Sequence, residues 1–138
     1  IDQRRKTFIP HVLAVTKGTT VEFPNDDLVF HNVFAEFEAQ RFDLGMYPKG
    51  SSRKQTFSKP GIVAVFCSVH SDMNAFVVVA NTPYFGVTDT YGRFSISTVP
   101  AGNYTVNVWH ESRQSLSSSQ TIDAAQGPLQ LQLKRARK

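Results

Sequence analysis

The chain has 138 residues, 41% of them hydrophobic, one cysteine, and a formal charge of +4 with a pI of about 9.4. That length suits one large domain, or one domain with a smaller appendage. A single cysteine rules out an intramolecular disulfide, and no apolar run is long enough to span a bilayer. The basic residues gather at the ends, in Arg4, Arg5 and Lys6 and again in Lys134, Arg135, Arg137 and Lys138. No aromatic platform accompanies them, so nucleic-acid binding is not expected. Solvated termini explain them most simply, and steering toward an acidic partner is the functional alternative. The chain starts at Ile1 rather than Met, as a processed chain would, so the lack of a leader says nothing of compartment.

Strand signals dominate the first part. Phe8–Val15, Thr20–Phe23, Leu28–Phe34, Arg53–Phe57, Ile62–Phe66 and Ala75–Ala80 are rich in Val, Ile, Phe and Thr. Gly18, Pro24-Asn25-Asp26, Pro48-Lys49-Gly50 and Pro60-Gly61 punctuate them. From Glu36 to Tyr47 the alternation fades, which predicts a short helix or an irregular loop. The pattern as a whole predicts an all-β sandwich or barrel.

A second part begins near Asn81. Arg93–Ser97 reads as a strand after the turn Asp89-Thr90-Tyr91-Gly92. Asn103–His110 alternates strictly, with Tyr104, Val106, Val108 and His110 on one face. Ser115–Ser119 reads as a connector, and Thr121–Ile122 and Leu129–Leu133 as two last short strands. The expected division is 1–82 and 83–138. Roughly 55 residues make a marginal domain, so this β-rich extension is expected to pack against the first part.

The chemistry concentrates in Cys67-x-x-His70-x-x-Met73, set between two strand runs, with His31 far upstream. A thiolate and two imidazoles in a trigonal plane, with a weak axial thioether, are the donor set of a mononuclear copper electron-transfer site. The expected metal ligands are therefore His31, Cys67, His70 and Met73, for one copper per chain. Two residues per step make a tight loop, which limits how far the ligands relax when the metal changes charge. Asn32 is placed to aim its backbone N–H at the Cys67 sulfur and to tie the two ligand segments with its side chain. Phe30, Phe34, Phe66 and Phe76 are the candidates for a dry shell. Met46, near Tyr47 and Pro48, is a candidate for an apolar rim.

Taken singly, each of these residues has a plainer explanation: Cys67 as a core thiol, His31 as a structural histidine, Met73 as filler. Their joint spacing favours the metal. Zinc is the main competitor, but a closed zinc site needs another Cys or His. His11 and His110 are the available ones and read as structural or surface residues. A Cys–His nucleophile lacks a third orienting group. Trp109 reads as a packing residue.

The run Val21-Glu22-Phe23-Pro24-Asn25-Asp26-Asp27, then His31-Asn32-Val33, Phe57–Gly61, the Cys67–Met73 loop and Ala75–Val79 resemble the cupredoxins. In loop length the likeness is to amicyanin and pseudoazurin; plastocyanin shares the order with a longer step from His to Met. The resemblance covers roughly residues 7–80. It implies a Greek-key β-sandwich, a type 1 copper held by His31, Cys67, His70 and Met73, and a partly exposed His70 as the electron port. Thr88–Ile96 and Val99–Val106 resemble the later strands of the carboxypeptidase regulatory-like (transthyretin-like) module, which implies that Ala75–Val79 serves both parts as a strand and that the two are interlocked.

The expected function is one-electron transfer, not enzyme catalysis, in a periplasmic or other extracytoplasmic setting. The expected partner is a redox protein, a cytochrome or a dehydrogenase with an acidic face. The alternatives are a copper carrier or sensor that holds Cu(I) without turnover, and a metal-free β-sandwich interaction module.

Overall fold

β-Branched and aromatic side chains suit a pleated, half-buried surface, and they form most of the strands. The computed structural model describes residues 1–37 and 40–136. Its strands are β1 (Asp2–Arg4), β2 (Thr7–Ile9), β3 (Val12–Thr16), β4 (Thr19–Pro24), β5 (His31–Phe37), β6 (Gln40–Tyr47), β7 (Ser52–Phe57), β8 (Gly61–Phe66), β9 (Asn74–Ala80), β10 (Gly102–Val108) and β11 (Leu116–Ile122). Among the described residues there is no helix, hence none long and apolar enough to cross a membrane. The chain divides into two compact units, Ile1–Ser95 and Ile96–Lys138. The expected boundary at 82/83 falls at the start of the strand-free stretch between β9 and β10.

In the first unit, five strands form one sheet in the order β3-β9-β8-β5-β6. The β3–β9 pairing is parallel and the others are antiparallel. β4 pairs with β7 and β1 with β2, both antiparallel. One core unites these sheets: Val33, Ala35, Val63, Val65, Ala75, Val77 and Val79 from the five-stranded sheet cluster with Phe8, Val21, Phe23 and Phe57. This is the expected β-sandwich. Burying each of the valine and phenylalanine side chains contributes about 1.5–3 kcal/mol.

Register carries the ligand segments to one end. β8 and β9 run antiparallel from Gly61↔Val79 to Phe66↔Asn74, so residues 67–73 are the loop that joins them. Phe34 pairs with Phe66. In that antiparallel register, the start of β5, with His31, lies beside the same loop.

Several local expectations fail, each for a physical reason. The strand expected over Phe8–Val15 breaks into β2 and β3 at Pro10, which has no N–H for a ladder. β5 starts at His31 rather than Leu28, because side chains have taken the backbone groups before it. Asn25 Nδ2 donates to the Val29 carbonyl at 3.0 Å, and Leu28 N donates to Asp27 Oδ1 at 2.9 Å.

The helix or loop expected over Glu36–Tyr47 is instead β6 for Gln40–Tyr47; residues 38 and 39 lie outside the described residues. Its alternation fades because of a β-bulge. Asn32 pairs with Met46 but Phe34 with Asp43, so two residues of β6 oppose one of β5. Gly45, at φ +71°, is the residue that turns the phase.

The second unit also departs from expectation. The Ser115–Ser119 connector is part of β11, paired along its length with β10. Leu116, Ser118, Gln120 and Ile122 alternate half-buried with exposed neighbours. Ser117 Oγ bonds Asn107 Oδ1 at 2.6 Å and Thr121 Oγ1 bonds Asn103 Oδ1 at 2.8 Å. These cross-strand bonds give a serine run the pairing energy its composition does not advertise. Neither Arg93–Ser97 nor Leu129–Leu133 forms a strand. β10 keeps the expected alternation, with Tyr104, Val106 and Val108 half-buried.

No atom comes within 4 Å of a Cβ built on Gly45. Gly45→Val should therefore cost only the left-handed backbone penalty, about 1–2 kcal/mol, read by urea unfolding. Gly45→Asn should cost clearly less, because Asn tolerates that region. Equal losses would show that the backbone angle is not the constraint.

Candidate metal centre

The Cys67–Met73 loop is closed by its own backbone. Cys67 N donates to the Met73 carbonyl at 3.3 Å, and Met73 N donates to the His70 carbonyl at 2.9 Å. Cys67 and Met73 are buried, at 4% and 1% exposure, within the core cluster. His70 is half-buried at the turn. His31 opens β5 and is fully buried.

Three donor atoms converge. Cys67 Sγ lies 3.8 Å from His31 Nδ1 and 3.9 Å from His70 Nδ1, and the two Nδ1 atoms are 3.1 Å apart. One point in the plane of that triangle is about 2.1 Å from all three atoms, within the ~2.0–2.3 Å of metal–imidazole and metal–thiolate bonds. His31, Cys67 and His70 are the metal-capable group found among the described residues. Met73 sits at the end of the same loop, and its buried thioether is a soft donor. A soft sulfur with two imidazoles suits copper better than a hard cation.

The protonation states suit ligation. His31 Nε2 lies 2.9 Å from Asp27 Oδ2, so a proton there is donated to the carboxylate and Nδ1 is left with its lone pair. The His31 hydrogen bond and the Lys6 amide hold the Asp27 carboxyl down to about 2. Desolvation, then the neighbouring His31 and Lys6, lower the pKa of His70, which favours the neutral imidazole that can bind a metal.

Asn32 joins the two ligand segments as expected. Its Oδ1 accepts from Ser68 N at 2.7 Å and from Ser68 Oγ at 2.9 Å, while its Nδ2 donates to Asp43 Oδ1 at 3.3 Å. Asp43 Oδ1 also accepts from Gly45 N at 2.9 Å. The β6 bulge thus supplies the far anchor of the clamp.

The expected phenylalanine shell does not form as such. Phe30 is 55% exposed and Phe66 37% exposed. On β8, Val63 and Val65 take the inward positions, which turns Phe66 outward. There it packs on Phe34 with ring centroids 5.9 Å apart. Phe76 lies on the outward face of β9, edge-on to His11 at 5.5 Å. Cys67 and Met73 instead belong to the same buried cluster as Phe8, Phe23, Val33, Tyr47 and Val65. Tyr47 donates to the Phe23 carbonyl at 2.9 Å and accepts from Gln3 Nε2 at 2.6 Å, and burial pushes its pKa up to about 12. Met46 is 47% exposed. His11 hydrogen-bonds the Asn74 carbonyl, and His110 Nδ1 accepts from Ser112 N at 3.1 Å.

Sequence reasoning passed over Asp27, Tyr47 and Gln3. For Asp27 a signal existed: a carboxylate four residues before a ligand histidine. Nothing in the pattern points to Gln3, which meets Tyr47 only through long-range packing.

Asn32→Ala removes both bonds to Ser68, each worth about 0.5–1.5 kcal/mol. Amide hydrogen exchange at Ser68 should speed up while β9 amides stay protected. Unchanged exchange at Ser68 would mean the clamp holds nothing.

No family model matches the chain. Among solved structures, it is similar to a reduced Cu(I) form at pH 4 of an amicyanin mutant, with 25% identity, 58% of this chain and 79% of that chain covered, and a TM-score of 0.55. It is similar to a copper-containing nitrite reductase from Thermus scotoductus, at 27% identity over 58% of this chain but only 22% of that chain, with a TM-score of 0.53. A purple cupredoxin from Nitrosopumilus maritimus is 29% identical over 51% of this chain and 79% of that chain, with a TM-score of 0.49. The chain thus carries the cupredoxin fold, and its His31–Cys67–His70 group fits a type 1 copper site.

Proposed function

We propose that this chain is a one-electron carrier in which His31, Cys67, His70 and Met73 hold one copper ion. The observation that carries the reading is the triangle of Cys67 Sγ and the two histidine Nδ1 atoms, with sides of 3.1, 3.8 and 3.9 Å. Bound copper would supply a Cu(I)/Cu(II) couple. The chain's own residues do the rest. Cys67 presents a thiolate from within the core, where apolar packing limits solvent access. The backbone bonds across the Cys67–Met73 loop and the Asn32 clamp hold the donors in place, so little rearrangement accompanies a change of charge. Met73 offers the axial thioether. With all four positions taken by protein, no place remains for a substrate, which favours a carrier over an enzyme.

His70 is the route for the electron, since it is half-buried whereas His31 is fully enclosed. Phe30 and Val69, next to the two histidines in the chain, are 55% and 54% exposed. They offer an apolar contact for a redox partner, a cytochrome or dehydrogenase. The net charge of +4 favours a partner with an acidic face. An extracytoplasmic location accords with this use.

The copper-loaded protein should show an intense thiolate-to-copper absorption band and a narrow copper hyperfine splitting in EPR. Cys67→Ser should abolish the band; surviving colour would remove Cys67 from the site. Met73→Gln should keep the band but move the potential, and an unmoved potential would remove Met73 from the axial position. A protein that binds only Cu(I), with no reversible couple, would be a carrier of the metal rather than of electrons. Electron transfer to an acidic partner should slow as ionic strength rises, because the attraction is screened within about 8 Å at 0.15 M salt.

A further inference from the structure

We propose that Asp27 is a positioning residue that sets both the tautomer of His31 and the preference of the metal group for the more oxidised ion. The inference rests on the copper reading for its second half only.

His31 has no exposed surface, so water cannot decide which ring nitrogen carries the proton. Its Nε2 faces Asp27 Oδ2 at 2.9 Å, and its Nδ1 faces Cys67 Sγ and His70 Nδ1. A carboxylate accepts and does not donate, so in the neutral ring the proton belongs on Nε2 and the lone pair on Nδ1. The carboxylate is itself fixed. Oδ2 also accepts from Lys6 N at 2.6 Å, Oδ1 accepts from Leu28 N at 2.9 Å, and the Asp27 amide donates to Asn25 Oδ1 at 2.9 Å. Three N–H donors therefore meet two oxygens, and the side chain has no second orientation of equal energy.

A negative charge hydrogen-bonded to an imidazole makes the opposite ring nitrogen a stronger donor. A stronger donor favours the ion of higher charge. Asp27 therefore stabilises the oxidised state through His31 without touching the metal. Asparagine cannot replace it. With one acceptor oxygen, Asn must turn its NH2 either on Leu28 N–H or on the Lys6 and His31 N–H groups.

The test has two readouts. In the metal-free protein, nitrogen-15 NMR should find His31 protonated on Nε2 alone, and Asp27→Asn should give a mixture of tautomers. In the copper-loaded protein, Asp27→Asn should keep the absorption band but lower the preference for Cu(II) about tenfold, a rise of ~59 mV in potential. Asp26→Asn is the control. It removes the same charge one residue away, from a carboxylate that pairs with Arg4 at 3.1 Å rather than with His31. It should leave the tautomer and the potential unchanged. If the wild-type His31 tautomer is mixed, or if Asp26→Asn moves the potential as far as Asp27→Asn, the inference is overturned even with a normal copper spectrum. If the tautomer result holds but the wild-type protein shows no thiolate band, the copper reading fails and takes the second half of the inference with it. A destabilised Asp27→Asn is handled by Asp27→Glu, which restores the charge and should restore the tautomer.

Discussion

One side chain ties the centre together. Asn32 follows His31, and Ser68 follows Cys67, so the two hydrogen bonds between Asn32 and Ser68 tie the segment of the buried imidazole to that of the buried sulfur. The sheet itself pairs β5 with β8 at Phe34↔Phe66, one residue short of Cys67. Asn32 is 4% exposed. Its acceptor and donor ends are both used, so it cannot rotate without leaving a polar group unsatisfied. The bulge at Gly45 belongs to the same arrangement, because it brings Asp43 to the amide end of Asn32.

Three distances of 3.1 to 3.9 Å set Cys67 Sγ and the two histidine Nδ1 atoms around one point. The arrangement is a frame around a point, and the frame is held by groups outside it: loop backbone, Asn32 and Asp27. Structural preorganisation of this kind is what a site needs if its donors are to remain in place while a charge comes and goes.

The convergence of His31, Cys67 and His70 is foreshadowed in the chain because Cys67, His70 and Met73 lie within seven residues, and because a Cys–His–Met series at even steps has few structural explanations. The strands are legible wherever Val, Ile and Phe alternate without interruption, as in β8 and β9. Legibility fails where pairing, not composition, decides the structure. The bulge in β6 shifts the alternation out of phase partway along, so Phe42 and Leu44 no longer share a period with Tyr47. The serines of β11 gain their strand from partners on β10. The dry shell is misassigned for a related reason. Phe34, Phe66 and Phe76 look like core residues by type, but strand alternation puts the smaller valines inward and the rings outward.

The two histidines are chemically alike and physically different, and the difference is what a carrier needs. His31 is enclosed, braced by a fixed carboxylate, and adjacent in sequence to the clamp. It can set the energy of the site but cannot pass anything to solvent. Among the described residues no carboxylate is bonded to His70. Desolvation, then its neighbours, lower its pKa, and part of its surface remains open. A partner that covers His70 would change the environment of one ligand while His31, Cys67 and Met73 stay shielded by the core. In the proposed carrier the potential would be set on the inner side and contact made on the outer side, so the surface could vary to suit a partner without altering the buried donors.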